Sequence, residues 1–443
     1  MLKVALVTFG CKVNQYESQM MAEGFVRHGY QIVYPPEKAN IYVVNTCTVT
    51  QTSDQQARQM IRRLIRENPR ARIVVTGCYA QADPLAIAAI PGVDLVLGNF
   101  EKSGLVNYVE SYSPRKGPQA VFSKLSEQVL SCPPIHEFYG HSRAFVKIQD
   151  GCQQKCSYCI VPRVRDQQRS RPAEEIISEV KNLINAGFSE IVVTGIRLGT
   201  YGQEWGGSLS QLLQLLLEIK GLGRIRLSSL EPMDVTTELV NLVARCSKIC
   251  PHWHLPLQSG DEEILKAMRR PYSPFQYREL INTIRSYVPD AAITTDIIVG
   301  FPGENEERFQ NTLKFISEVE FAKIHVFRFS PRPETEAAQL AGKIPSPMVK
   351  VRSQTLINFS WQLFHRYHKR FLGHIREVVI ETRRDRESGL LTGYTDNYLR
   401  VFMSGEDSWS RRLIPVLLEE ETERGLKGKA MLKAEMAQGL SQV

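Results

Sequence analysis

Six short β-type runs between Arg143 and Phe329 do most to limit the folds open to this chain. They are Ala144–Gln149, Ile191–Thr194, Ile225–Ser228, Trp253–Leu257, Ile293–Val299 and Ile324–Phe329, each followed by room for a helix. Regular strand–helix alternation predicts parallel strands covered by helices. Six such units make a partial (β/α)6 version of the eight-unit barrel, in which reacting groups gather at the C-terminal ends of the strands. The N-terminal region alternates as well. Strand-like runs at Lys3–Thr8, Ile41–Asn45, Arg72–Thr76 and Asp94–Leu97 are separated by helical patterns at about Gln15–His28, Asp54–Glu67 and Asp83–Ala89. The C-terminal region reads differently. Val378–Glu381, Leu391–Tyr394, Tyr398–Phe402, Ile414–Leu418 and Ala430–Ala434 are short runs between turns, the spacing of a small β-barrel or sandwich.

The expected class is therefore α/β, in three parts. Residues 1–112 form a parallel-sheet domain, residues 138–368 the partial barrel and residues 371–440 a small all-β barrel. A polar stretch from Pro114 to Pro118 separates the first two, and a helix near Val351–Arg370 leads into the third.

Nine cysteines in 443 residues are too few, and odd in number, for a disulfide scaffold. Spaced cysteines in a reducing compartment serve as metal ligands or catalytic groups. No apolar run approaches the about 18 residues that span a bilayer. The opening LKVALVTF is too short for a secretory segment. A cytoplasmic protein with no membrane partner is expected. The net charge of +8 permits a polyanionic partner without requiring one.

Two groups of three cysteines carry the chemistry. Cys152, Cys156 and Cys159 lie on one loop, in C-x-x-x-C-x-x-C spacing, directly after the first barrel strand. Three thiolates can hold three irons of a cubane and leave the fourth open to a substrate group. The alternatives are a zinc site or buried thiols, but structural zinc takes four ligands, and no fourth is evident nearby. Cys11, Cys47 and Cys78 are scattered in sequence, yet they follow the first, second and third strands of the N-terminal region. The C-terminal ends of parallel strands share one edge, so these three should converge. Buried small hydrophobes are the alternative reading. Cys246, Cys250, His252 and His254 could be taken as a further metal group. However, the histidines flank one strand residue and Cys246 sits in an apolar helix, so no third metal site is expected.

The loop QDGCQQKCSYC resembles the radical S-adenosylmethionine (SAM) superfamily. In that superfamily SAM chelates the open iron and is cleaved to a 5′-deoxyadenosyl radical, and Tyr158 matches the aromatic position beside the adenine. More of the chain resembles one family within it, the methylthiotransferases. TFGCKVNQYES, NTCTVT and VTGCYAQ resemble its amino-terminal domain, while HLPLQSGDEEILKAMRRPYS and TDIIVGFPGENEERF resemble its radical domain. GYTDNYLRV resembles the TRAM domain, a small barrel linked to RNA binding. The resemblance implies two [4Fe-4S] clusters, with SAM as both radical source and methyl donor. The radical removes a substrate hydrogen, and the cluster on Cys11, Cys47 and Cys78 supplies sulfur for a methylthio group. SAM contacts are implied at Thr194, Gly195, Ser228, Ser229, Gly300 and Gly303.

GCKVNQYES and the aspartate of QDGC most resemble the subgroup acting on N6-threonylcarbamoyladenosine at tRNA position 37. Isopentenyladenosine at the same position, or an aspartate of a ribosomal protein, are the substrates of the sister subgroups. The implied partners are a tRNA anticodon stem-loop, an electron donor and a sulfur source. A non-catalytic iron–sulfur RNA sensor is the reading from another class. The glycine-rich run Gly300–Glu304 and the open-iron loop disfavour it. The chain departs from the family pattern in having Arg165-Asp166 for Arg-Gly, and Glu334-Thr335 for Gly-Thr.

Phosphate contacts by Lys and Arg dominate RNA affinity. Arg58, Arg62 and Arg66 recur at four-residue spacing after Cys47, and Arg163, Arg165, Arg169 and Arg171 follow Cys159. These seven are the expected RNA contacts, against the ordinary reading of a solvated face. Charges balance in the C-terminal region, so RNA binding there rests on the resemblance, through Arg383, Arg384, Tyr394 and Tyr398.

Overall fold

The chain is described by a computed structural model covering residues 1–113, 117–122, 130 and 132–431. Pro114, Arg115 and Lys116 of the expected linker, and the end of the expected last strand, lie outside the described residues.

The N-terminal β-branched runs pair as one parallel sheet, β2-β1-β3-β4-β5-β6. Its strands are β1 (Lys3–Thr8), β2 (Gln31–Ile32), β3 (Ile41–Thr46), β4 (Arg72–Gly77), β5 (Leu95–Leu97) and β6 (Gln119–Val121). Helix α1 (Lys12–Arg27) follows β1 and α2 (Gln51–Glu67) follows β3. The helix expected over Asp83–Ala89 is present, and a further short helix precedes it. After α3 (Cys78–Ala82), the Asp83 side chain accepts the Ala86 N–H at 3.1 Å and starts a new turn at Pro84–Ala88. That substitution of a side-chain acceptor for the missing helical carbonyl is an N-cap.

The barrel strands are β7 (Ala144–Lys147), β10 (Glu190–Thr194), β11 (Arg224–Leu227), β12 (His252–His254), β13 (Ala292–Val299) and β14 (Lys323–Arg328). They pair in parallel as β7-β10-β11 and β12-β13-β14. Bridges Ile225–Ile249 and Ser229–His254 join the two halves. A short antiparallel pair, β8 (Gln149–Asp150) and β9 (Arg169–Ser170), frames the loop that carries Cys152, Cys156 and Cys159. With six units the barrel does not close, and β7 and β14 border an open side.

Helix α1 lies between the N-terminal sheet and β7, and its apolar residues Tyr16, Met20, Met21 and Phe25 belong to a core continuous with that of the barrel. The C-terminal strands β15 (Ile375–Ile380), β16 (Leu391–Thr395), β17 (Arg400–Met403), β18 (Leu413–Thr422) and β19 (Gly425–Ala430) close into a five-stranded barrel. Strand β19 sits earlier than the expected Ala430–Ala434 because β18 continues to Thr422 and turns straight into it. Arg224 and Arg226 of β11 anchor this barrel. Their guanidinium groups donate to the carbonyls of Glu377, Tyr394, Thr395 and Asp396 at 2.7–2.9 Å, while Glu190 pairs with both beneath.

Candidate functional site

Cys11, Cys47 and Cys78 each begin the segment after a parallel strand, and the three thiols lie close enough to influence one another electrostatically. Two glycines allow the approach. Gly10 has φ +100°, and a Cβ there would lie 2.8 Å from Cys47 Cβ and 3.0 Å from its Sγ. Gly77 has φ +102°, and a Cβ there would lie 2.3 Å from the Thr46 carbonyl. A side chain is disfavoured at such φ even without the clash. The polar residues around the cysteines knit the loops together. Asn14 donates to the carbonyls of Phe9 (2.7 Å) and Thr46 (3.0 Å), and Asn45 donates to the Asn14 carbonyl at 2.9 Å.

The second triad follows β8. Gln149 donates to the carbonyls of Asp150 and Gly151 at 2.9 and 2.8 Å and accepts the Arg197 N–H at 2.8 Å. Ser157 is bound at three points, to Met268, Ala267 and Ala337. Arg270 donates to Cys156 Sγ at 3.2 Å and pairs with Glu231. Arg270 and Glu231 are absent from the sequence-based expectations, although Arg270 lies inside the family-like run HLPLQSGDEEILKAMRRPYS.

The thiols fit clusters better than single ions. Two thiolates on one tetrahedral zinc, at about 2.3 Å each, lie about 3.8 Å apart. Among the described residues, the one trio of ligating groups gathered within 4.8 Å is His254, Asp296 and His325, and neither cysteine triad is that tight. Three thiols at that wider spacing are a donor set that fits the irons of a cubane cluster. Burial pushes the thiols of Cys47 and Cys159 up to about 12, with neighbouring cysteines adding to the rise. A bound cluster must overcome this protonation, so nearby cations matter.

Arg165 is the cation that meets the first triad, and it opposes the burial that raises the Cys11 thiol. Its Nε donates to Cys78 Sγ at 3.3 Å, and its two terminal nitrogens reach Glu17 and Asp150 at 2.8 Å. Its own carbonyl accepts the Cys152 N–H at 3.0 Å, so one residue touches both triads. Lys147 pairs with both carboxylates at 2.7 Å, and Lys102 pairs with Glu17. Three cations against two carboxylates leave one positive charge in excess beside Cys78. Burial favours the neutral acids, but Arg165 and the lysines outweigh it and hold Glu17 well below the carboxylate range and Asp150 at about 2.

This burial corrects two expected RNA contacts. Arg165 is 3 % exposed, and Arg171 is fully buried against Glu179 (2.8 Å), the Tyr16 hydroxyl and the Lys147 carbonyl, so neither faces solvent. Glu17 comes to Arg165 from a distant part of the sequence, whereas Asp150 and Glu179 lie 15 and 8 residues from their arginines. Arg169 is half-buried over the Phe100 ring and Arg58 half-buried against the Tyr79 hydroxyl. Arg62, Arg66 and Arg163 are exposed, and Arg163 meets Glu334 at 2.9 Å.

The implied SAM residues line the C-terminal strand ends. Thr194 is buried, and Gly195 packs on Gln149, where a Cβ would lie 3.0 Å from its Oε1. Tyr158 packs beside Ile264, Met268 and Phe301. Gly300 donates to Glu304 at 3.0 Å and Gly303 to the Gly342 carbonyl at 2.9 Å. Ser228 and Ser229 open onto a chamber of about 770 Å³ on the open side of the barrel. Gly10 and Lys12 wall the chamber from the N-terminal domain, and Tyr394, Tyr398, Arg400 and Arg424 wall it from the C-terminal barrel. His252 stacks on Tyr398 with ring centres 4.6 Å apart, and His254 of the same sequence group gathers with Asp296 and His325.

Comparison with known proteins agrees with this architecture. The model of the Radical SAM superfamily matches residues 146–316, and that of the "Uncharacterized protein family UPF0004" matches residues 3–98. The threonylcarbamoyladenosine tRNA methylthiotransferase MtaB of Bacillus subtilis (strain 168) is 38% identical over 94% of this chain and 93% of its own length. Its counterpart from Thermotoga maritima is also 38% identical, over 90% of this chain and 91% of its own. A tRNA-2-methylthio-N(6)-dimethylallyladenosine synthase from Moorella thermoacetica is 34% identical, over 96% and 97%. Among solved structures, the radical SAM methyltransferase TsrM of Kitasatospora setae shares the fold, with a TM-score of 0.56 at 14% identity over 76% of this chain and 74% of that one. Membership of the superfamily carries with it a [4Fe-4S] cluster and SAM. No helix among the described residues is long and apolar enough to cross a membrane. With full-length relatives at this identity and both family models in register, the chain belongs to the radical SAM methylthiotransferases.

Proposed function

We propose that this chain converts N6-threonylcarbamoyladenosine at position 37 of tRNA to its 2-methylthio derivative, with one [4Fe-4S] cluster on Cys152, Cys156 and Cys159 and a second on Cys11, Cys47 and Cys78. The observation that carries this reading is Arg165, whose guanidinium meets Cys78 while its carbonyl meets the Cys152 N–H. Radical formation and sulfur delivery need two neighbouring centres, and a single residue spans the two triads. The relatives from Bacillus subtilis and Thermotoga maritima, near-equal in length and 38% identical, carry the threonylcarbamoyladenosine name.

When bound, the first cluster and SAM supply the radical and the second cluster supplies sulfur. The chain's own groups do the positioning. Gln149 holds the turn into Cys152 against the loop after β10, and Arg270 with Glu231 braces Cys156. Arg165 and its lysine neighbours keep Glu17 and Asp150 ionised, and Arg165 also donates to Cys78 Sγ. The chamber gives an RNA base a place to enter once it leaves its stack, as enzymes acting on bases require. The implied partners remain a tRNA anticodon stem-loop, an electron donor and a sulfur source.

Mass spectrometry of nucleosides from tRNA of cells with and without the gene tests this. The 2-methylthio-N6-threonylcarbamoyladenosine peak should vanish on deletion and return with wild type, but not with Cys11→Ala or Cys152→Ala. An unchanged profile on deletion would defeat the reading.

A further inference from the structure

The chamber on the open side of the barrel carries more positive charge than its own ion pairs use. Its wall holds Lys12, Arg143, Arg226, Lys323, Arg400 and Arg424 against one carboxylate, Asp296. The four arginines have acidic partners in Glu381, Glu190 and Asp385. Asp296 faces His254 at 3.3 Å. Among the described residues, Lys12 and Lys323 have neither a carboxylate within 4.0 Å nor a hydrogen-bonding partner. Lys12 directly follows Cys11, and Lys323 opens β14 on the side that also presents His325 and Phe327.

Two further observations point to an absent anionic or polar occupant. Ser228 Oγ and His252 Nδ1 are buried in the same wall without a partner, and buried polar atoms in native proteins are rarely left so. The wall's electrostatics agree. Burial, Arg226 and Lys12 all disfavour protonation of His252 and keep it well below the usual histidine range. Burial raises the Tyr398 hydroxyl, yet Arg143, Lys12 and Arg226 outweigh it and lower it overall.

The threonylcarbamoyl substituent ends in a carboxylate and a hydroxyl, whereas the dimethylallyl substituent is hydrocarbon. A site built for a charged group rejects an apolar analogue, because its polar groups are left unmatched. On adenine, C6 and C2 flank the same ring nitrogen, so a substituent held at N6 lies on the same edge of the ring as C2. We propose that Lys12 and Lys323 hold the carboxylate of the threonylcarbamoyl group and thereby select this base. The inference rests on the function proposed above.

Fluorescence anisotropy tests it, using the full-length chain reconstituted anaerobically. The probes are anticodon stem-loops carrying threonylcarbamoyladenosine, its methyl ester or plain adenosine. Wild type should prefer the acid to the ester by about tenfold or more, the scale of a charge-assisted contact. Lys12→Met and Lys323→Met should each bring that preference close to parity, and Lys12→Arg should keep it. Iron content checks folding, and Lys323 lies outside both cysteine loops. A preference unchanged in both methionine variants overturns the proposal. So does an equal loss on acid and ester, which would assign the lysines to RNA phosphates. Should wild type form the methylthio product yet ignore the esterification, the carboxylate site falls alone. Should it form no product and bind modified and plain stem-loops alike, the proposed function falls with it.

Discussion

The two cysteine triads offer the same ligands, but the chain gathers them in opposite ways. Cys152, Cys156 and Cys159 share one loop, whereas Cys11, Cys47 and Cys78 meet only after three strands have paired in parallel. Each triad has one arginine on one thiol, Arg165 on Cys78 at 3.3 Å and Arg270 on Cys156 at 3.2 Å. Their surroundings differ. Arg165 is enclosed with two buried carboxylates, while the Glu231 that pairs with Arg270 keeps a side-chain exposure of 23%. The non-local site thus depends on buried charge balance to hold its loops together, and the local one is braced mainly by hydrogen bonds from Ser157 and Arg270.

That contrast breaks most easily at the arginines. Arg165→Met leaves Glu17 and Asp150 without their shared partner and should cost about 3–5 kcal/mol, the scale for breaking a buried pair. Arg270→Met leaves a carboxylate that water can reach and should cost about 1–3 kcal/mol. Urea unfolding of the two variants measures both. Equal losses would erase the difference between the two sites.

Acid sharpens the same comparison. Asp150 and Glu17 have folded-state pKa values below their unfolded ones, so the stability they add is fully present above about pH 4.5. It should fall away as pH drops toward the Asp150 value of about 2. In Arg165→Met the carboxyls lose the guanidinium that lowers them, so their folded and unfolded values draw together and the acid-dependent loss should shrink. Thermal unfolding from pH 3 to 6 follows the loss, and superimposable wild-type and variant curves would argue against it.

The smallest expected effects lie on the surface. Arg62→Ala and Arg66→Ala should leave stability within about 0.5 kcal/mol and lower the salt slope of RNA binding by about one each. Arg171→Ala should do the reverse, destabilising the fold through Glu179 without a direct phosphate contact. Binding measured across a salt series separates the two kinds of arginine.

These arginines also mark what could be read in the sequence. Strand β1 falls at Lys3–Thr8 as expected, and the barrel strands overlap their expected runs, although β12 (His252–His254) shares only Trp253 and His254 with the expected Trp253–Leu257. The convergence of Cys11, Cys47 and Cys78 followed from topology alone. Strands β2 and β6 escaped notice because two or three residues at a sheet edge carry no periodicity. Arg165 and Arg171 were misplaced because a charge run shows only its neighbours. Glu17 reaches Arg165 through tertiary packing that no local pattern announces, whereas Asp150 and Glu179 lie only 15 and 8 residues away along the chain. Glu17 does sit within TFGCKVNQYES, where an acidic residue on an otherwise buried helix face was the available signal.

The barrel stops at six units, and the gap left by the missing two is not closed by strands. Its border is finished by α1 with Lys12 on one side and by the tyrosines and arginines of the C-terminal barrel on the other. The Cys152 loop and the segments that border this gap are thus separate stretches of polypeptide. A change in either flanking segment can reshape the entrance while the Cys152 loop stays as it is. Such a layout gives one reaction many doors, and a family can acquire new substrates by refitting the frame without rebuilding the furnace.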